Sequence, residues 1–294
     1  MLNAFTIDLE EYFQVSKFEH VLTRERWHDL PSRVRSNTIR ILELLDEYEC
    51  RATFFTVGWV ADKYKDLIRE IAAAGHEIGS HSYWHRRVSD ISPQEFREDI
   101  QKCKSVLEDA SGEEVRAFRA PTYSIIDSSK WAWDVLLEEG FQIDSSVFPI
   151  QHHRYGNPDA NRFLHQIVRD AGTIIEFPLS TMKIAGSTVP IVAGGYLRFF
   201  PYLFTKLGIK RINKAEKKPA VIAFHPWELD PHHPIPRVSL LKRIRHKINI
   251  NTTESKLRKL LTDFQFGTIK EVVEQHFKNE QGTLTKLTSD FELA

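Results

Sequence analysis

Two histidines, His81 and His85, close the stretch Ala74-Gly75-His76-Glu77-Ile78-Gly79-Ser80-His81-Ser82-Tyr83-Trp84-His85. Imidazole is the commonest metal-binding side chain near neutral pH. At a spacing of four on a helical turn, two such rings face the same way. Alone, the pair is equally compatible with a surface loop whose histidines pack or cap. A carboxylate placed to complete a site decides between them. Asp8 and Glu10 lie two apart where the apolar run Leu2–Ile7 ends. On extended backbone they project to one side and Glu11 to the other. Two neutral imidazoles and a carboxylate leave coordination positions open and suit a catalytic divalent metal such as Zn2+. His225, Asp144 and Arg119 also stand at the ends of short apolar segments.

These placements depend on the elements that carry them. Leu2–Asp8, Ala52–Val57, Glu77–Ile78, Val115–Arg119, Phe141–Ser145, Thr173–Pro178 and Ala220–Phe224 read as strands. Helical spacing fills Ser32–Tyr48, Val60–Ala74, Ser92–Ala110, Ser128–Glu139 and Tyr202–Lys214 between them, and Thr253–Thr262 and Ile269–Phe277 after them. Ser92-Pro93-Gln94-Glu95 has the pattern of a capping box. Strands alternating with helices predict parallel βα units. The fold class expected is α/β, a distorted (β/α) barrel of about seven such units. One domain over 1–278 is expected, with an inserted loop region near 149–200 and a frayed tail at 279–294. In a parallel barrel the C-terminal strand ends share one face, which would gather Asp8, His81, Arg119, Asp144 and His225.

The chain has 294 residues, with Lys+Arg and Asp+Glu both at 40. A formal charge of zero gives no reason to expect nucleic acid as a partner. The two cysteines, Cys50 and Cys103, fit packed, reduced thiols. Met1–Ile7 reads directly as a strand, and no apolar run reaches the length of a membrane span. A soluble, cytoplasmic protein is the expectation. The basic run Lys242–Lys247 offers peripheral membrane contact if the substrate is lipid-linked.

Taken together, Thr6-Ile7-Asp8-Leu9-Glu10, His81-Ser82-Tyr83-Trp84-His85, Arg119-Ala120-Pro121-Thr122-Tyr123, Asp144 with Phe148, and Ala223-Phe224-His225-Pro226-Trp227 resemble the five motifs of the NodB-homology polysaccharide deacetylases, carbohydrate esterase family four. Glu176–Thr181 and Gly194-Gly195-Tyr196 look like the exopolysaccharide-locus, exosortase-associated subgroup.

The resemblance implies metal-assisted removal of N-acetyl groups from an N-acetylated polysaccharide or oligosaccharide. Glu10, His81 and His85 would hold the metal. Asp8 would be the base, oriented by Arg119. His225 would be the acid, with Asp144 pairing to it and raising its pKa. The backbone N–H of Tyr123 would bind the oxyanion. Tyr123, Pro121 and Trp227 would line the substrate groove. Two alternatives stay open: a catalytically silent carbohydrate-binding relative, and a metal-dependent amidase on a small nitrogenous substrate.

Overall fold

A computed structural model describes residues 1–152, 155–193 and 195–278. In chain order its elements are β1 (Leu2–Leu9), α1 (Val34–Glu47), β2 (Thr53–Thr56), α2 (Gly58–Lys63), α3 (Lys65–Ala73), β3 (Glu77–Ser80), α4 (Pro93–Ser111), β4 (Ala117–Phe118), α5 (Ala132–Glu138) and β5 (Ile143–Asp144). There follow β6 (His165–Arg169), β7 (Gly172–Glu176), β8 (Thr181–Ile184), β9 (Ser187–Pro190), α6 (Gly195–Phe199), α7 (Tyr202–Lys214), β10 (Val221–Phe224), α8 (Leu240–Lys247), α9 (Thr253–Asp263) and β11 (Gln265–Gly267). A helix over 269–278 ends the described chain.

The main sheet runs β10-β1-β2-β3-β4-β5-β7-β6, with β11 also on β1. All pairings are parallel except β6 on β7. Among the described residues the ladder does not run continuously around a barrel. Backbone bridges the gap between β7 and β10: Ile191 N–H donates to Ser180 at 3.4 Å, Ala223 N–H donates to Val192 at 3.1 Å, and Ala193 bridges Ala223. The Ser180 hydroxyl accepts from Val221 N–H at 2.7 Å. The expected distorted α/β architecture is therefore found, closed on this side by irregular chain.

Residue type alternates as a sheet covered on both faces requires. Phe5, Ile7 and Leu9 of β1 join the large core beneath the helices, with Ile41 and Leu45 of α1 and Leu257 and Leu260 of α9. Burying each such side chain contributes about 1.5–3 kcal/mol. Ala4 faces inward with Phe55, Ala117, Val221 and Ala223, and the helix over 269–278 adds Ile269, Val272 and Val273 to that inner cluster. Higher on the same inner face, apolar side chains give way to Thr6, Asp8 and Arg119. Cys50 and Cys103 are free and buried.

The region expected to be inserted loop is more ordered than its sequence indicated. It supplies β6 to the main sheet, the separate β8–β9 hairpin and α6. β6 lies on the sheet edge and its burial alternates only weakly, so its pattern is faint. His153, Arg154, Gly194 and the tail from 279 lie outside the described residues. Among the described residues no helix is long and apolar enough to cross a membrane.

Candidate active site

The Asp8 side of the site is set by Arg119, which is fully buried. Its Nη1 donates to Asp8 Oδ1 and to Thr6 Oγ1, each at 2.7 Å. Nε and Nη2 donate to the carbonyl and hydroxyl of Ser145, at 3.1 and 2.8 Å, and the guanidinium lies 4.2 Å from the Phe55 ring centroid. A planar guanidinium held at four points fixes the carboxylate it grips. Past Leu9 the chain bends, with Glu10 N–H donating back to Asp8 at 3.0 Å.

His81 and His85 do not sit on a helical turn. The loop reverses through positive φ at Ser82 (64°) and His85 (52°), and that bend brings the two rings to 5.1 Å. Asp99 of α4 secures the bend, accepting from Tyr83 N–H at 2.6 Å and Trp84 N–H at 3.1 Å. His81 Nδ1 is 2.7 Å from the Arg119 carbonyl. A carbonyl only accepts, so Nδ1 carries the proton and Nε2 keeps its lone pair. His85 Nε2 lies 2.8 Å from Glu10 Oε2. One donor atom from each of Glu10, His81 and His85 falls within 4.8 Å of the others, and all three residues are buried.

The protonation states of His81 and Glu10 suit a cation. Burial holds His81 down at about 4, hence neutral at pH 7. Burial pushes Glu10 up, but His85, His225 and His81 outweigh it and bring the carboxyl to about 2. Trp227 Nε1 donates to Glu10 Oε1 at 3.1 Å. A donor set of two imidazoles and a carboxylate, each anchored by an outer hydrogen bond or packed in the core, fits a divalent metal. Glu11 points elsewhere and holds the start of α1, accepting from Ser32 Oγ and from Arg33 N–H at 3.0 Å.

The opposite side of the site comes from the end of β10, where His225 stands. His225 Nε2 lies 3.6 Å from Glu10 Oε1 and 3.9 Å from Asp8 Oδ2. Its Nδ1 is 2.7 Å from Glu228 Oε1. A 3-10 turn over Pro226–Leu229 folds Glu228 back beneath the ring. Arg198 of α6 then donates its Nε to Glu228 Oε2 at 2.5 Å. Burial works against the imidazolium, but Glu10, Glu228 and Asp8 outweigh it and hold His225 up at about 9. Burial pushes Glu228 up, but Arg198 and His225 draw it down to about 2.

Three expectations need correction. Asp144 does not touch His225. Strand alternation turns Ile143 inward and Asp144 outward, where it accepts from Trp133 Nε1 at 2.8 Å and from Ser146 Oγ. There it meets Glu176, its cross-strand partner. Burial raises both carboxyls, Glu176 well above its ordinary value with Asp144 adding to the effect. Glu228, which sequence reading missed, takes the place beside His225. Its only signal was an acid three residues after the histidine, across a proline-led turn. Trp227 is not an open stacking surface: His225 stacks on it at 5.1 Å and His246 at 4.7 Å. The Tyr123 N–H donates to the Ala120 carbonyl at 3.0 Å, so it is not free for an oxyanion in this conformation. His233 is buried and bonded to His246 at 2.7 Å.

Pro121 is buried in the turn carrying Tyr123. The Tyr123 ring packs edge-on to Phe148 at 5.3 Å and Tyr155 at 6.1 Å, and Tyr196 meets Phe148 at 6.2 Å. These rings form an aromatic cluster next to the Asp8–Arg119 pair.

Residues 26–143 match the family described as polysaccharide deacetylase, and residues 145–274 match a domain of unknown function, DUF3473. The chain is 33% identical over 107 residues to a peptidoglycan-N-acetylglucosamine deacetylase of Bacillus cereus, covering 36% of this chain and 38% of that one. It is 36% identical over 87 residues to a chitooligosaccharide deacetylase of Azorhizobium caulinodans, covering 29% of this chain and 41% of that one. The matches thus span well under half of either relative. A crystal structure described as a candidate polysaccharide deacetylase from Mycobacterium smegmatis superposes with a TM-score of 0.61, over 95% of this chain and 91% of that one. At 18% identity that likeness establishes the fold.

Proposed function

We propose that this chain, whose kinship with the polysaccharide deacetylases is supported by the match over residues 26–143 and by its curated relatives, is a metal-dependent hydrolase removing N-acetyl groups from amino sugars. The substrate is a polysaccharide or its lipid-linked precursor. One observation carries the reading: His225 Nε2 lies within 4 Å of both Asp8 and Glu10, so a base, an acid and a metal-ligand set converge at one buried point. A carbohydrate-binding module has no use for that convergence, and the neighbouring aromatic cluster favours a sugar over a small nitrogenous substrate.

Glu10, His81 and His85 would hold one divalent ion, for which Zn2+ matches the donor types, and it would supply Lewis acidity to the acetyl carbonyl and the attacking water. The chain's own groups do the rest. Asp8, fixed by Arg119, takes a proton as water adds to the carbonyl carbon. His225 enters protonated and gives its Nε2 proton to the amide nitrogen as the C–N bond breaks. Acetate and a free amine result. Each such proton transfer is worth about 10²–10⁴ in rate, roughly 3–5 kcal/mol. Glu228 and Arg198 keep the His225 ring oriented and charged. We further assign the chain to exopolysaccharide biosynthesis, on the resemblance of its Glu176–Thr181 and Gly194-Gly195-Tyr196 segments to the exopolysaccharide-locus subgroup.

The test is acetate release from a panel of N-acetylated oligosaccharides, with and without chelator. Release that chelator stops and added metal restores is expected. No acetate from any member, metal supplied, refutes the proposal.

A further inference from the structure

Helix α8 is amphipathic with its apolar side turned outward. Only His246 of this helix is buried. It stacks on Trp227, bonds to His233, and its carbonyl accepts from Arg198 Nη1 at 2.8 Å. At about 100° per residue, Leu240, Leu241 and Ile244 share an arc of roughly 100° centred opposite His246. They are 72, 60 and 53% exposed. Arg245 borders that arc on one side, Lys247 and Arg243 on the other. Among the described residues, none of Lys242, Arg243, Arg245 or Lys247 pairs with a carboxylate. The pattern extends to α6 and α7, joined to α8 through Arg198: Phe199, Leu203 and Leu207 are 58, 63 and 55% exposed. Neither 195–214 nor 237–247 contains Asp or Glu, in a chain whose charges otherwise cancel. On α8, uncompensated positive charge therefore stands beside bare apolar side chains, whereas Arg198, Lys206 and Arg211 of α6 and α7 pair with Glu228, Asp263 and Glu216.

We propose that α8, supported by α6 and α7, is a membrane-surface contact that takes an anionic lipid bilayer, its apolar stripe entering the headgroup boundary and its basic flanks meeting lipid phosphates. Isolated exposed leucines are ordinary, but a stripe rimmed by uncompensated cations is complementary to that surface. A second copy of the chain is a poorer fit, because a two-fold contact through α8 would set its cations against themselves. The contact would hold the protein by the element that backs the candidate active site. The inference is independent of the hydrolytic reading, since vesicle binding is read without any turnover.

The full chain is sedimented with phosphatidylcholine vesicles and with vesicles one-third phosphatidylglycerol. Binding to the anionic vesicles only is expected. A basic residue near such a surface is worth roughly fivefold in partition. The combined Lys242→Glu, Arg243→Glu, Arg245→Glu, Lys247→Glu variant should therefore lose at least about a hundredfold. A Leu240→Ser, Leu241→Ser, Ile244→Ser variant should lose binding with its charge intact. Circular dichroism on both variants confirms that loss of binding is not loss of fold. The proposal is overturned if the wild type stays in the supernatant with anionic vesicles. It is equally overturned if both folded variants bind as the wild type does, or if light scattering shows a dimer that the serine variant dissociates.

Discussion

Replacing Glu228 with Gln removes one negative charge 2.7 Å from His225 Nδ1. The amide oxygen, set at the Oε1 position, still accepts from the imidazole and from the His225 N–H. The amide nitrogen at the Oε2 position, a donor only, leaves Arg198 Nε without its acceptor. Glu10, Glu228 and Asp8 together hold His225 at about 9 against burial. With the charge of Glu10 taken up by a bound cation, Glu228 becomes the principal counter-charge. An opposite charge at such range is worth about 1–3 pH units, or about 1.4–4 kcal/mol. The acid form of His225 exists below its pKa, so turnover falls as pH rises through that value. In the metal-loaded wild type this alkaline limb lies below 9, because the cation offsets the pull of Glu10; in the variant it moves down further, by about 1–3 units. KM should change little, since Glu228 is fully buried and touches no open surface. Stability follows the same sign. Raising His225 from 6.5 to about 9 stabilises the fold fully below pH 6.5, and that contribution is lost as pH rises through 9. The lowered Glu228 stabilises above its ordinary 4.5, and that contribution is lost as pH falls toward 2. The variant lacks the second contribution and keeps less of the first, and its Arg198 is a buried cation without a carboxylate, at a cost of up to about 3–5 kcal/mol. Acetate release from pH 5 to 10 and thermal melts over that range measure both effects. A folded variant with its alkaline limb unmoved refutes the assignment of Glu228.

Two further substitutions test the same geometry. Asp144→Asn should leave the pH profile of turnover where it is, because Asp144 faces Trp133 and Glu176; a limb displaced as in the Glu228 variant would contradict that placement. Trp227→Phe keeps an aromatic ring between His225 and His246 but removes the donor to Glu10. Metal affinity measured by titration calorimetry should fall about 10–100-fold, and unchanged affinity would show that this hydrogen bond does not support the ligand.

The residues that proved legible in sequence were those whose position relative to a strand end is local information. Asp8 and Glu10 are two apart on one strand, and His225 follows an apolar run with nothing intervening. The same logic misread Asp144, because a strand end was considered without its face: Ile143 points inward, so Asp144 cannot. Glu228 was invisible because it reaches His225 by a turn, and Arg198 approaches it from the region taken to be loop. Trp227 was taken for a sugar platform because sequence does not reveal that His246, nineteen positions later, covers its second face. The spacing of His81 and His85 was informative, but its geometry was not helical: two residues in left-handed backbone, held by Asp99, do what a helical turn was expected to do.

The register of β1 also bears on the order in which the chain can assemble. Thr6 meets Thr53 early in synthesis, but the opposite edge of β1 waits for Val221 and its neighbours. At about 5–20 residues per second that interval lasts about 8–34 s. Through it the nascent chain carries a strand with one unpaired edge, which invites mispairing with other chains. Glu10, His81 and His85 all emerge before that gap closes, whereas His225 and Glu228 emerge at its end. A ribosome-bound chain can thus gather every metal-ligand candidate before it owns the proposed proton donor.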